Sequence, residues 1–173
     1  MPFLFSIGHS TRSLDAFVGL LRAHGVGKLA DVRTAPGSRR HPRFARDALG
    51  AAMRDRGIAY GHFPALGGLR RPRADSSNTG WQNSGFRGFA DYMETPAFAK
   101  ALEDLLAFAG DERTSMMCAE ALWWRCHRRL IADALTLRGI AVQHIVSEAR
   151  ATPHEITPFA RIADGRLSYP GLV

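Results

Sequence analysis

The chain has 173 residues, 46% hydrophobic and 23% charged, with a net charge of +7. That is enough apolar material for one domain with a sizeable core and too balanced a mixture for a disordered chain. No apolar run approaches the ~18–20 residues of a membrane span, and two cysteines in all make no disulfide framework.

The run FLFSIG reads as a buried strand closed by glycine. Ser13 can cap the next helix, Asp15 lies in its first turn, and Leu14, Phe17, Val18 and Leu21 repeat at helical spacing. Gly25 stops that helix, and KLADVR, residues 28–33, is a second strand. Residues 34–42, with two prolines and a glycine, are loop. Phe44, Ala48, Leu49, Ala52 and Met53 form one apolar helix face, and IAYGHF, residues 58–63, is a third strand. Residues 64–85 carry Gly, Arg, Pro, Ser and Asn without a period, which predicts a long loop or flap. A short helix is expected over 86–93. Thr95-Pro96 opens the next, with Phe98, Leu102, Leu105 and Ala109 facing inward. TSMMC, residues 114–118, is a fourth strand, followed by a helix ending near Arg138 and a fifth strand over 140–145. RIADGRLSY has Asp-Gly between alternating segments, a hairpin signal.

Strand and helix thus alternate five times. The expected fold is one α/β domain over residues 1–173, with about five mostly parallel strands, helices on both faces in three α/β/α layers, and a C-terminal hairpin. Ligands of such sheets bind outside the carboxyl ends of the strands. Those ends carry His9 and Ser10, Asp31 and Arg33, Tyr60 and His62, Cys118 and Glu120, and His144. The stretch CAEALWWRCHRR, residues 118–129, holds both cysteines. His127 lies three residues before Leu130 on the stripe of Leu130, Ile131, Ala134 and Leu135, so it should point inward at the helix start. A helix N-terminus favours anions and a thiolate. The candidate catalytic groups are therefore Cys118, Glu120, Cys126, His127 and His9, with Cys118 the favoured nucleophile because strand ends line the crevice.

Lys28 and Lys100 are the only lysines, so the positive charge is almost wholly arginine. Codon bias is one source. Clustering at 33–46, 70–73 and 125–129 favours an anion, which guanidinium binds in two-pronged fashion. Asp31, Ser10, Arg33, Arg39, Arg125 and Arg128 are the candidate substrate-binding residues. Each candidate also has a structural reading. A cysteine ending an apolar strand can be a small core residue, Asp31 and Arg33 can pair with neighbouring helices, and the tryptophans can be packing.

IGHS, LADVR followed by PGSRRHPRF, FRGFADYM followed by TPAF, and MCAE followed by CHRRLIADAL and VQHI resemble the family of the domain of unknown function numbered 488. The resemblance spans nearly the whole chain and implies no particular reaction. A weaker one, in DVR and in a cysteine before a helix, is to rhodanese-like domains, which implies sulfur chemistry. The compact cysteine loop of those domains is missing here.

Two functions compete. One is an enzyme with thiol-dependent chemistry on a phosphorylated or nucleic-acid-related ligand. The other is a nucleic-acid-binding protein using its arginine loops. A metal site is the least favoured, because Cys-x7-Cys-His is not a standard zinc spacing. No cofactor motif is present. The opening MPFLFSIGHS lacks the features of a signal peptide, so a cytoplasmic protein is expected.

Overall fold

The computed structural model describes residues 3–37 and 39–171. Helices fill the intervals between strands as the periodicity requires: β1 (Phe3–Gly8), α1 (Leu14–Ala23), β2 (Lys28–Asp31), α2 (Arg46–Asp55), β3 (Ala59–His62), α3 (Ser84–Met93), α4 (Pro96–Ala109), β4 (Thr114–Cys118), α5 (Arg128–Leu137) and β5 (Ala141–Ser147). The caps at Ser13 and Thr95 are the expected ones, whereas α3 begins two residues before the expected 86 and is capped by Asn83. Ser13 and Thr95 side chains accept the backbone N–H groups of Ala16 and Phe98, and Asn83 does the same for Phe86 at the start of α3.

The strands form one sheet in the order β3-β2-β4-β1-β5-β6, with β1 to β5 parallel. The added strand β6 (Arg150–Pro153) runs antiparallel to β5 and forms one edge. A two-stranded hairpin, β7 (Arg161–Ala163) and β8 (Arg166–Ser168), follows. Its turn is Asp164-Gly165, with both residues at positive φ, the backbone that matches strand twist in tight hairpins.

Period-two alternation sorts the sheet's side chains onto two faces. Phe5, Ile7, Leu29 and Met117 meet Phe17, Leu21, Leu49 and Met53 of α1 and α2. Leu4, Ala30, Val32, Met116 and Cys118 meet Phe89, Leu102, Leu105, Leu130 and Ile131 of α3, α4 and α5. Each of these large side chains contributes roughly 1.5–3 kcal/mol by leaving water. The same alternation sends Asp31 to the α2 side and Cys118 to the α5 side, which divides the strand-end residues before any site is built.

Residues 64–85 are fastened along their length. Leu66, Asn78 and Trp81 are buried. The Asp91 carboxylate of α3 accepts hydrogen bonds from Arg73 N, Ser76 Oγ and Asn78 Nδ2, while Asn78 Oδ1 accepts from Tyr169 N. Between these anchors the stretch around Gly68 presses on His127. A Cβ at Gly68 would lie 2.7 Å from the imidazole Nδ1, so only glycine allows the approach.

Candidate functional site

A cavity of about 370 Å³ opens over the carboxyl ends of β2 and β4, and its lining includes Arg33, Gly68, Glu120, Arg125, Cys118, Cys126 and His127. A larger groove of about 720 Å³ lies between α4, α5 and the hairpin. None of the candidate strand-end or helix-start residues lines it, so the smaller cavity is the candidate site.

Cys118 ends β4, and the loop through Trp123–Arg125, a single 3-10 turn, returns the chain so that Cys126 precedes α5. The two sulfurs are 2.6 Å apart and the cysteines are free thiols. Gly8 on β1 makes room for this loop, since a Cβ there would collide with the Glu120 carbonyl. His127 Nε2 lies 2.7 Å from the Val32 carbonyl, which can only accept, so Nε2 carries a proton. That leaves Nδ1 facing Cys126 Sγ at 3.4 Å. A thiol, a base and a group that orients the base are therefore aligned. The backbone N–H of Arg128, at the start of α5, also reaches Cys126 Sγ at 3.5 Å.

The side chain of Arg128, a candidate substrate-binding residue, is buried. Its Nε donates to Cys118 Sγ (3.0 Å), Nη1 to Ser6 Oγ (2.8 Å) and Nη2 to the Glu120 carbonyl (2.6 Å). Among the described residues no carboxylate forms an ion pair with it. A buried guanidinium is costly without an anion, and the ionisable acceptor it touches is the sulfur pair. Burial alone would lower the Arg128 pKa, but the two cysteines outweigh it and raise it. Burial, together with the hydrogen bond to Cys126, pushes the Cys118 thiol well up. Burial acts on Cys126 too, but the Cys118 hydrogen bond, His127 and Arg128 overcome it and bring that thiol well down. The pair thus favours one shared negative charge, centred on Cys126.

Behind Arg128 runs a buried chain of hydrogen bonds. Ser6 Oγ meets His144 Nδ1 (2.9 Å), His144 Nε2 meets His154 Nδ1 (2.9 Å), and His154 Nε2 meets Asp133 Oδ1 (2.7 Å). With each histidine protonated on Nε2, the bonds run in one direction, from the Arg128 donor through Ser6, His144 and His154 to the Asp133 carboxylate. Burial, then the charges of His154 and Arg128, lower His144 to about 2, in keeping with a neutral ring. Trp123 stacks flat on His144 at 4.2 Å. Asp133 also accepts from Thr157 N and Tyr169 Oη.

The other candidates lie elsewhere. Asp31 is fully buried on the α2 side and receives Arg33 Nε and Nη2 at 2.8 and 2.7 Å, with Tyr60 Oη also donating. Arg33 is thereby committed to Asp31 and to the Phe44 carbonyl, although it lines the cavity. His9 is buried, stacked on Phe44 at 4.3 Å, and bonded through Nδ1 to the Ser10 carbonyl. Burial takes its pKa to about 4. It does not line the cavity. Ser10 adopts a positive φ of 50° and its N–H bonds the Ala119 carbonyl, tying β1's end to the Cys118 loop. Glu120 offers its carboxylate to Leu122 N, and only its backbone carbonyl reaches Arg128. Arg39 is exposed outside the cavity lining. Arg125 is exposed at the rim; its backbone N–H donates to the Leu122 carbonyl, and among the described residues its side chain makes no hydrogen bond or ion pair. Residues Ser6, Asp133, His154 and Tyr169 were not anticipated. The available signals were a serine inside an apolar strand and an aspartate inside the buried stripe of α5.

Among the described residues no group of three or more His, Cys, Asp or Glu is placed to hold a metal, and no helix is long and apolar enough to cross a membrane. A family model described as "Domain of unknown function DUF488" matches residues 13–135, a span that contains Cys118, Cys126, His127, Arg128 and Asp133. Comparison with curated proteins and with solved structures gave no match.

Proposed function

The chain belongs to the family of the domain of unknown function DUF488, and we propose that it is a thiol-dependent enzyme acting on a small anionic substrate. The observation that carries this reading is the pairing of Cys126 Sγ with His127 Nδ1, both residues lining the cavity, with the Val32 carbonyl holding the ring from behind. His127 takes the Cys126 proton. Arg128 and the start of α5 hold the resulting charge, which is how a thiol becomes a nucleophile near neutral pH. The volume of about 370 Å³ suits a small molecule. Arg125, whose side chain has no partner among the described residues, is placed at the rim to receive a negative group, whereas Arg33 is engaged by Asp31. The geometry favours Cys126 over Cys118 as nucleophile, because Cys126 has the base and the helix start.

The test is the pH dependence of alkylation by iodoacetamide, with each cysteine changed in turn to serine. Cys126 should react with a midpoint well below the ~8.5 of a free thiol, and His127→Ala should move that midpoint up. Cysteines that stay inert until the protein unfolds would be core residues and would refute the reading.

A further inference from the structure

We propose that Cys118 and Cys126 are a working dithiol, and that the substrate is a small anionic disulfide reduced by thiol–disulfide exchange. This rests on the reading of Cys126 as the ionised thiol. What goes beyond it is the role of Cys118. A lone nucleophile has no need of a second sulfur, yet Cys118 touches Cys126 at 2.6 Å, and both line the same cavity. A merely structural cysteine would also not be given a charged donor. Arg128 Nε reaches Cys118 Sγ at 3.0 Å, in position to stabilise a second thiolate when one must form.

The sequence of steps balances. The Cys126 thiolate attacks one sulfur of the substrate disulfide, forming a mixed disulfide and expelling the other half as a thiolate. That thiolate takes the proton held on His127 Nδ1. Cys118 then attacks Cys126 Sγ and expels the second half, which takes the Cys118 proton and leaves as a thiol. Two protein thiols and one disulfide become one protein disulfide and two small thiols. The two sulfurs are already in contact, so a bond of ~2.05 Å can close between them. Arg125 at the rim would hold a carboxylate of the substrate. A thiol-based reductant in a separate reaction must reopen the protein disulfide.

The chain carries its own readout, because Arg125 lies between the cysteines. Trypsin separates residues 114–125, which hold Cys118, from residues 126–128, which hold Cys126. The reduced protein is exposed to oxidised glutathione at pH 7, quenched with acid and N-ethylmaleimide, digested without reductant and weighed. Wild type should yield the two peptides linked, with two glutathiones released per chain. Cys118→Ser should retain glutathione on residues 126–128, and Cys126→Ser should react at least about tenfold more slowly. Arg125→Ala should slow oxidised glutathione but not the uncharged bis(2-hydroxyethyl) disulfide. Glutathione persisting on Cys126 of wild type, with no linked peptides, overturns the resolving role of Cys118. Equal slowing by Arg125→Ala of both disulfides overturns the anionic preference. Iodoacetamide on the same samples separates the two readings. Alkylation of Cys126 at low pH without a linked pair leaves the thiolate standing and removes the dithiol, whereas inert cysteines remove both.

Discussion

Changing both cysteines to alanine should strand the Arg128 charge, and the loss can be sized. Removing one partner of a buried pair costs about 3–5 kcal/mol. A domain of this length loses about 2–4 °C of Tm per kcal/mol. The double variant should therefore melt roughly 6–20 °C lower at pH 8.5 in the presence of a reductant. Arg128→Met in the same background should restore much of that loss, because no charge is then left unpaired. Thermal melts of wild type, Arg128→Met, the double cysteine variant and the triple variant form a double-mutant cycle, which isolates the coupling. Strictly additive changes would refute the claim that sulfur balances the guanidinium. The pH dependence has a definite sign. Cys126, with its pKa lowered on folding, contributes fully above the unfolded value of ~8.5 and loses that contribution as pH falls. Cys118, with its pKa raised, loses stability as pH climbs above that value. The gap between wild type and the double cysteine variant should peak near pH 8.5 and narrow on both sides.

Two further outcomes follow from the buried polar groups. Asp133→Ala leaves His154 Nε2, Thr157 N and Tyr169 Oη without their acceptor. At about 1–3 kcal/mol for each buried donor left unsatisfied, Tm should fall by at least roughly 6 °C, with Asp133→Asn falling less. A smaller fall for alanine than for asparagine would contradict the chain of bonds drawn through His154. His9 and His144, lowered to about 4 and about 2, stay neutral when folded, while the unfolded rings take protons below about 6.5. The urea midpoint should therefore drop between pH 7 and pH 5, and an unchanged midpoint would count against the burial of these rings.

Much of the fold was legible because apolar periodicity and caps act locally. Leu14 to Leu21, Thr95-Pro96 and Asp164-Gly165 each fall where the sequence put them. Strand β6 was not, since Arg150–Pro153 is a short edge segment ending in proline whose pairing depends on β5 alone. In the candidate site, Cys118, Cys126 and His127 could be foreseen from a strand end and a helix start. What could not be foreseen was the side of the sheet each residue would take. Asp31, Arg33 and His9 share a strand edge with Cys118 but pack with Phe44 and Tyr60 on the α2 face. Arg128 reads from the sequence as a substrate-binding cation, because it sits at a helix start beside other arginines. Its burial depends on Ser6, Glu120 and the two sulfurs, partners up to 122 residues away.

The strand order has a consequence for how the molecule is assembled. Strand β4 is inserted between β1 and β2, pairing Gly8 with Cys118 and Lys28 with Thr114. The first two strands made therefore cannot zip together and must wait for a segment synthesised much later. Such non-local closure slows folding, because the entropy of a large loop is lost before any contact compensates. Here the late strand is also the one that ends in Cys118. The joining of β1 to β2 through β4 and the delivery of the first sulfur are thus a single event, and a nascent chain that has not yet emerged past Arg113 is expected to lack both the centre of its sheet and any exposed reactive thiol.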